Sequence, residues 1–259
     1  IPQLRERLQK LAKILEDTLE IDEILKLAAD ASEVQAAEPR ISFHLQKKVR
    51  IGVAEDEAFC FYYKDNFRLL KSMGAELVTF SPMRDEHLPE NLKGLILGGG
   101  YPELNARELE ANVSMREDIC RALNDGMPCL AECGGFMYLH DEMEAMDGNS
   151  YHMAGVISGR AYRTQRLNRF GYVTLTQKKE VLGMNDMGGI PAHEFHYFDS
   201  ENCGDDFDAK KPASHRKWNC IHGTDTMMAG FPHLYFYGNP KVPEAFLRKC
   251  SQYGRQDAR

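Results

Sequence analysis

Stretches typical of buried strands alternate with amphipathic helical stretches from Val49 onward, and this alternation restricts the possible folds more than any other feature. The strand-like stretches are residues 49–54, 75–80, 92–100 and 127–132. The helical patterns between them include two that end at a glycine, Gly74 and Gly126. Strands and helices that alternate with short connections predict an α/β fold, a doubly wound and mostly parallel sheet with flanking helices. Ligands bind such sheets beyond the carboxyl ends of the strands.

Beyond Met153 the sequence contains more strand patterns and fewer helical ones. The strand-like stretches there are residues 153–159, 171–177, 192–198, 217–222 and 233–238, and a last helical pattern covers residues 243–250.

Residues 1–45 have a different character from the rest of the chain. Leucines and isoleucines recur at three- and four-residue steps between Leu4 and Ala31 without a glycine or proline, which predicts helices. A polar stretch that contains Pro39 follows and fits a linker. Two helices and a linker do not make a core, so we predict that residues 1–45 are the tail of a preceding domain and that residues 46–259 form the main domain.

Charge and cysteine content exclude several classes of function. A net charge of −7 argues against a nucleic-acid partner or an anionic membrane surface. No apolar run approaches the roughly 18 residues of a membrane span, and no signal-peptide pattern opens the sequence. The seven cysteines contain no C-x-x-C pair, so we expect reduced thiols, no metal site and a cytoplasmic location.

The segment PCLAECGGFMYL places Cys133 between a strand pattern and a helix pattern. A side chain at such a turn is raised out of the sheet, and small residues at Ala131 and Gly135 let strand and helix cross closely, as in the hydrolase elbow Gly-x-Ser-x-Gly. A nearby helix N-terminus favours a thiolate, and the amide of Gly134 is in position to stabilise an oxyanion. Cys133 is therefore a candidate nucleophile; a buried apolar filler is the alternative, which fits Cys129 better.

Two further motifs carry weaker signals. The triple glycine Gly98–Gly100 ends a strand and fits either a tight turn or amides that bind a small ligand; no Gly-x-x-x-x-Gly-Lys-[Ser/Thr] phosphate loop occurs in the sequence. The stretch AHEFHYF holds His193 and His196, which face opposite sides of a strand and so should not bind one metal ion. One of them can act as a base for Cys133.

Together these motifs resemble those of the class I glutamine amidotransferases, and most closely the glutaminase domains of cobyrinic acid a,c-diamide synthases. The segments that carry the resemblance are AEDEAFCFYYKDN, LGGGYPEL with EANVSMR, AECGGFMYL and HEFHY. The resemblance extends from about Val49 to the C-terminus and implies a flavodoxin-like fold. It implies that the first 45 residues end an ATP-dependent synthase domain.

By this resemblance, Cys133 attacks the side-chain amide of L-glutamine and releases ammonia. His196 corresponds to the histidine of the family's EFHY segment and is expected to be the general base and acid. Gly134, with Gly99 or Gly100, is expected to supply the oxyanion amides.

The wider class orients its histidine with a glutamate two residues later, where this chain has Phe198. The resemblance therefore implies a Cys-His dyad. Glu194 lies two residues before His196, on the same strand face, and is a candidate to orient it; a backbone carbonyl or an exposed, unengaged Glu194 are alternatives.

The resemblance also implies partners. Ammonia would pass to ATP-activated acetate groups a and c of cobyrinic or hydrogenobyrinic acid, with ATP and Mg²⁺ on the missing synthase domain and no cofactor in this chain. The segment Glu55–Tyr63 fits a contact with that domain or with the macrocycle, and equally a core segment.

Three alternatives stay open: another tetrapyrrole acid such as nickel-sirohydrochlorin as acceptor, a different cysteine hydrolase, and a non-catalytic module that binds a partner. Self-association also stays open.

Overall fold

The computed structural model describes residues 2–35 and 41–254, in two compact units, Ile1–Arg40 and Ile41–Arg259. The smaller unit contains helices α1 (Pro2–Thr18) and α2 (Ile21–Ala29), as the leucine and isoleucine spacing predicts. Their apolar side chains, such as Leu8 and Leu25, are exposed. Pro39 of the predicted linker lies outside the described residues. Whether this unit ends a synthase domain stays a prediction.

The larger unit contains fifteen strands and five α-helices among its described residues. The strands are β1 (Val49–Ala54), β2 (Ala75–Phe80), β3 (Gly94–Leu97), β4 (Cys129–Glu132), β5 (His140–Glu144), β6 (Ser150–His152), β7 (Ile157–Arg163), β8 (Arg169–Gln177), β9 (Ile190–His196), β10 (Phe198–Ser200), β11 (Phe207–Lys210), β12 (Lys217–Cys220), β13 (His222–Gly223), β14 (Met227–Gly230) and β15 (His233–Leu234). The helices are α3 (Lys64–Ser72), α4 (Ala106–Ala111), α5 (Val113–Asn124), α6 (Gly134–Tyr138) and α7 (Lys241–Gln252), with 3₁₀ turns at Pro102–Leu104 and Phe236–Gly238.

A six-stranded sheet in the order β13-β14-β4-β3-β1-β2 forms the centre of this unit. All its pairs are parallel except β13 with β14. Strands β1 to β4 coincide with the four apolar stretches of the sequence; helix α3 connects β1 to β2, and helices α4 and α5 connect β3 to β4. The predicted α/β fold with a mostly parallel sheet is confirmed.

The strands of the central sheet are buried on both faces, which explains their continuous apolar sequences. Successive side chains alternate between two core clusters. Ile96 and Leu130 belong to one cluster, whereas Leu97, Cys129 and Ala131 belong to the other. Cys129 is thus the buried filler that its place inside the strand predicts.

Two smaller sheets account for the strand-rich second half. One has the order β10-β7-β5-β6 and the other the order β12-β11-β8-β9-β15. The short strand β15 follows β14 after two residues and pairs with β9, with His233 opposite His193. The chain therefore passes directly from the carboxyl end of the central sheet to the edge of the five-stranded sheet, where the candidate site lies.

Three residues of the predicted linker belong to the larger unit. Ile41, Phe43 and Leu45 pack against its core, and the amide of Leu45 donates to the carbonyl of Met73 over 2.8 Å. These contacts put the start of the larger unit at Ile41, five residues before the predicted domain start at residue 46.

Candidate active site

The turn between β4 and α6 holds Cys133 in a conformation that few non-glycine residues adopt. Its backbone has φ 48° and ψ −103°. Such positive-φ residues cost of order 1–3 kcal/mol and persist where surrounding contacts hold them. Here the amide of Cys133 donates to the carbonyl of Gly230 over 2.8 Å, which continues the pairing of β4 with β14. The thiol is raised out of the sheet, as the elbow-like spacing predicts, and Cys133 is 9% exposed.

Gly135 permits the close crossing of helix and sheet at this turn. A Cβ atom at Gly135 would lie 2.0 Å from the carbonyl oxygen of Leu97, which is too close for any side chain. Its amide donates to the carbonyl of Gly98 over 2.8 Å. Helix α6 is therefore fixed directly against the end of β3, and the position of the Cys133 side chain is fixed with it.

His233 is the histidine whose side chain interacts with the thiol. It is buried, lines the same cavity as Cys133, and its pKa is raised by that side chain. A Cβ at Gly99 would lie 2.5 Å from Cε1 of His233, so only glycine leaves room for the ring. The ring of Phe61 packs against the imidazole of His233 from another side, with the two ring centroids 4.8 Å apart. These contacts hold the imidazole beside the nucleophile.

Glu132 is the carboxylate nearest to His233. Its Oε2 lies 3.5 Å from Nδ1 of the ring, longer than an ordinary N–H···O hydrogen bond, and Nδ1 has no other partner in the part of the chain that the structure describes. The other carboxylate oxygen accepts from the amide of Leu234 over 3.2 Å. The three side chains are therefore arranged in the order Cys133, His233, Glu132.

The charges on either side of His233 favour its protonated form. Burial by itself lowers the pKa of this imidazole, but the interactions of the ring with Cys133 and Glu132 outweigh burial and raise the pKa to about 10. An imidazolium between a thiolate and a carboxylate is the arrangement that an active cysteine nucleophile needs, because the thiolate is the reactive form.

His196, the histidine expected from sequence to be the base, is engaged elsewhere. Its Nδ1 lies 2.6 Å from the carbonyl oxygen of Phe198 and its Nε2 lies 3.1 Å from Oε2 of Glu194. Both ring nitrogens therefore have partners within the protein, and neither of these partners is Cys133. These contacts do not agree with the expected pairing of His196 with Cys133.

The predicted pairing of Glu194 with His196 is present, but in the core. Glu194 is fully buried, and its Oε1 also accepts from Nε1 of Trp218 over 3.2 Å. The ring of His196 stacks on Phe231 at a centroid distance of 4.0 Å. Since Phe231 lies two residues before His233, this pair supports the segment that carries His233. The alternative of an exposed, unengaged Glu194 does not hold.

The three glycines that were predicted to supply oxyanion-binding amides occupy different positions around the thiol. A Cβ at Gly134 would lie 3.2 Å from the amide nitrogen of Gly100, so these two residues meet beside the thiol. Gly134 opens α6, where first-turn amides have no partner within the helix. Gly99 instead packs against His233, as described above.

A cavity of about 250 Å³ opens over the thiol. It is lined mainly by aromatic side chains and histidines: Phe61, Tyr101, His193, Phe195, His196, Tyr197, Phe198 and His233. Glu103 is the carboxylate in this lining. In the segment Glu55–Tyr63, Phe59 is fully buried in the core whereas Phe61 is 47% exposed at the cavity. A contact of this segment with a synthase domain or a macrocycle stays a prediction.

This chain is similar in sequence to a known domain family and to curated proteins. The domain family described as the CobB/CobQ-like glutamine amidotransferase domain matches residues 50–240. A curated protein from Caldanaerobacter subterraneus subsp. tengcongensis, named cobyrinate a,c-diamide synthase, is 36% identical over 255 residues, which are 98% of this chain and 56% of that protein. A protein of the same name from Picrophilus torridus is 37% identical over 246 residues, 94% of this chain and 53% of that protein. The chain thus spans about half the length of these relatives.

Among solved structures, that of PurLQS from Thermotoga maritima is similar to the fold. It has a TM-score of 0.54 at 16% sequence identity and covers 80% of this chain and 99% of its own. In the described residues no helix is long and apolar enough to cross a membrane.

Proposed function

The chain belongs to the CobB/CobQ-like glutamine amidotransferase domain family, and from that premise we propose that Cys133, His233 and Glu132 release ammonia from L-glutamine. The observation that carries the proposal is that the thiol of Cys133, held at a positive-φ turn, lines one cavity with the buried imidazole of His233, which has Glu132 at 3.5 Å on its other side. His233 takes the role that the sequence resemblance gives to His196. Glu132 takes the orienting role considered for Glu194.

In the first half of the reaction, the thiolate of Cys133 attacks the side-chain carbonyl carbon of glutamine. The imidazolium of His233 gives its proton to the leaving nitrogen, the C–N bond breaks, and ammonia leaves a glutamyl thioester on Cys133. Glu132 holds Nδ1 so that the other ring nitrogen faces the thiol and the leaving group.

The tetrahedral oxyanion is stabilised by the amides of Gly134 and Gly100. These residues meet beside the thiol, whereas Gly99 makes room for the imidazole of His233. One oxyanion donor is typically worth about 3–4 kcal/mol of barrier, so both glycines contribute directly to the rate.

In the second half, water hydrolyses the thioester. The now neutral imidazole of His233 takes a proton from the water, the hydroxide adds to the thioester carbonyl, and the C–S bond breaks. Glutamate leaves, and thiolate and imidazolium are restored. Each step uses only glutamine, water and side chains of this chain.

We propose that ammonia serves the amidation of the a and c acetate groups of cobyrinic or hydrogenobyrinic acid. The support is the name of the two relatives and their match over nearly the whole of this chain. Carboxylates need activation before ammonia reacts with them, so ATP and Mg²⁺ act on another part of the complete protein. No separate observation favours another tetrapyrrole acid or a module that only binds a partner.

Labelling with 6-diazo-5-oxo-L-norleucine, a reactive glutamine analogue, followed by peptide mass spectrometry tests the proposal. We expect one modified residue, Cys133, and loss of labelling in Cys133→Ala. His233→Ala should slow labelling strongly, and His196→Ala should slow it less. Labelling of no cysteine by a folded protein would support a binding module instead.

A further inference from the structure

Glu103 is placed to meet a positive charge in the cavity above Cys133. It lies in the 3₁₀ turn Pro102–Leu104, which directly follows the glycine turn. A Cβ at Gly134 would lie 2.9 Å from Cδ of Pro102, so this turn packs against the start of the helix that carries the nucleophile. Glu103 and Cys133 therefore line the same small cavity from adjacent elements.

The carboxylate of Glu103 has no side-chain partner in the described part of the chain. Across residues 2–35 and 41–254 the side chain of Glu103 forms no salt bridge and no hydrogen bond to another side chain, although it is partly buried. Burial raises the pKa of Glu103, and the hydrogen bond to its own backbone amide and the charge of Arg163 only partly oppose this. A partly buried carboxylate without a close cation is costly unless a ligand supplies one.

Resting on the proposed function, we propose that Glu103 binds the α-ammonium group of the substrate amino acid. Glutamine presents one cation, at the end of the molecule opposite its reacting amide. Glu103 is the only carboxylate among the side chains that line the cavity in the described part of the chain. The amide is held at Cys133 and the α-ammonium group at Glu103, so the substrate spans the cavity. This makes Glu103 the residue that selects an amino acid over a simple amide.

The neighbouring lining residues do not offer an equivalent contact. A protonated histidine repels an ammonium group, and a neutral one accepts a single hydrogen bond without a negative charge. The aromatic rings of Phe61 and Phe195 contact the methylene groups of a substrate equally well in charged and uncharged amides. Recognition of the α-ammonium group therefore depends on the Glu103 carboxylate.

A comparison of two substrates in two variants tests the proposal. Hydrolysis of L-glutamine and of glutaramate, which has the same reacting amide but no α-amino group, is measured in the wild type, Glu103→Gln and Glu108→Gln. Glu108 is an exposed carboxylate outside this cavity and serves as the matched control. Alkylation of Cys133 by iodoacetamide, which has no α-amino group, reports whether the nucleophile stays intact.

We expect Glu103→Gln to lower kcat/KM for glutamine by about 10- to 100-fold, mainly through KM, the usual worth of a hydrogen bond to a charged group. Glutaramate hydrolysis and the alkylation rate should stay at the wild-type level, so the preference for glutamine largely disappears. Equal loss for both amides, or an unchanged preference, overturns the role of Glu103 while leaving the glutaminase proposal in place. A wild-type protein that hydrolyses neither amide overturns both.

Discussion

Oε2 of Glu132 lies 3.5 Å from Nδ1 of His233, and Glu132 is the chain neighbour of the nucleophile. One strand end thus supplies both the thiol and the carboxylate, and the histidine comes from about 100 residues later. The sequence resemblance predicted a Cys-His dyad because the place two residues after the expected histidine holds Phe198. In the structure the carboxylate near the imidazole of His233 is that of Glu132, which precedes the nucleophile in the chain.

Replacing Glu132 with Gln should lower kcat/KM for glutamine by on the order of 10²-fold or more, since a mispositioned or wrong-tautomer imidazole has cost up to about 10⁴ in a related arrangement. The loss of negative charge should also lower the pKa of His233. The alkaline limb of the pH profile of kcat/KM should then move to lower pH, a change that a purely structural role would not cause.

Glu194→Gln is the comparison for this experiment, because Glu194 pairs with the other histidine, His196. It should leave the alkaline limb in place. If Glu194→Gln moves the limb and Glu132→Gln does not, the orienting carboxylate has been assigned wrongly.

Alanine substitutions at the two histidines should differ strongly. His233→Ala should lower the rate of glutamine hydrolysis by about 10²–10⁴, the range for a positioned general base or acid. His196→Ala should cost less in rate and more in stability, because it removes a ring stacked on Phe231 and leaves the buried Glu194 without its partner. Steady-state kinetics and urea unfolding of both variants measure this. The reverse ranking in rate would restore the sequence-based assignment of His196.

The local elements of the site were predictable from sequence, whereas its long-range partner was not. The spacing Ala131-x-Cys133-x-Gly135 predicts a nucleophile at a tight turn, and Gly135 indeed meets the Leu97 carbonyl. His233 was missed because its position depends on the order of strands: β14 lies beside β4, and Ala229 pairs with Ala131. Local patterns contain no information about which parallel strands are neighbours.

One signal could have pointed to His233. Parallel strands that are neighbours end at the same edge of the sheet, so a histidine soon after any late apolar strand is a candidate partner for Cys133. The alternation argument for residues 192–198 was correct in itself, since Glu194 and His196 share the buried face of β9 while His193 lies on the other. The argument predicts the pairing of Glu194 with His196, and the structure contains that pair.

The strain at Cys133 gives a prediction about stability. In most turn and helix positions alanine is at least as stable as glycine, but at φ 48° and ψ −103° glycine avoids the clash of Cβ with the backbone. Cys133→Gly should therefore have a free energy of unfolding about 1 kcal/mol higher than Cys133→Ala. Both variants should be inactive with glutamine. Urea unfolding that finds Cys133→Ala the more stable variant would contradict the strained turn.

The raised pKa of His233 makes its contribution to stability depend on pH. A group whose pKa is higher in the folded state, here about 10 against about 6.5 when unfolded, stabilises the fold fully below pH 6.5, and this contribution is lost as the pH rises through 10. The difference in unfolding free energy between the wild type and His233→Gln should therefore fall between pH 6 and pH 10. A series of urea unfolding curves across that range measures it. A difference that grows with pH would mean that the folded protein prefers the neutral ring.

This chain by itself should release ammonia from glutamine without forming an amide on a corrinoid acid. The carboxylates of the acceptor need activation, and no Gly-x-x-x-x-Gly-Lys-[Ser/Thr] phosphate loop occurs in these 259 residues. This chain covers 56% and 53% of the two relatives, so in those proteins a further part of comparable size lies outside the match.

Incubation of the chain with ATP, Mg²⁺, glutamine and cobyrinic acid, followed by mass spectrometry of the corrinoid, tests whether the chain releases ammonia without forming the amide. We expect glutamate to accumulate while the corrinoid mass stays unchanged, and calorimetry should detect no tight binding of ATP. The same incubation with Cys133→Ala controls for glutamine hydrolysis by contaminants, and ammonium chloride in place of glutamine controls for a slow ammonia supply. A corrinoid lighter by the mass difference between a hydroxyl and an amino group for each acetate converted, found in the wild-type sample and absent from the Cys133→Ala sample, would place the activating chemistry within this chain.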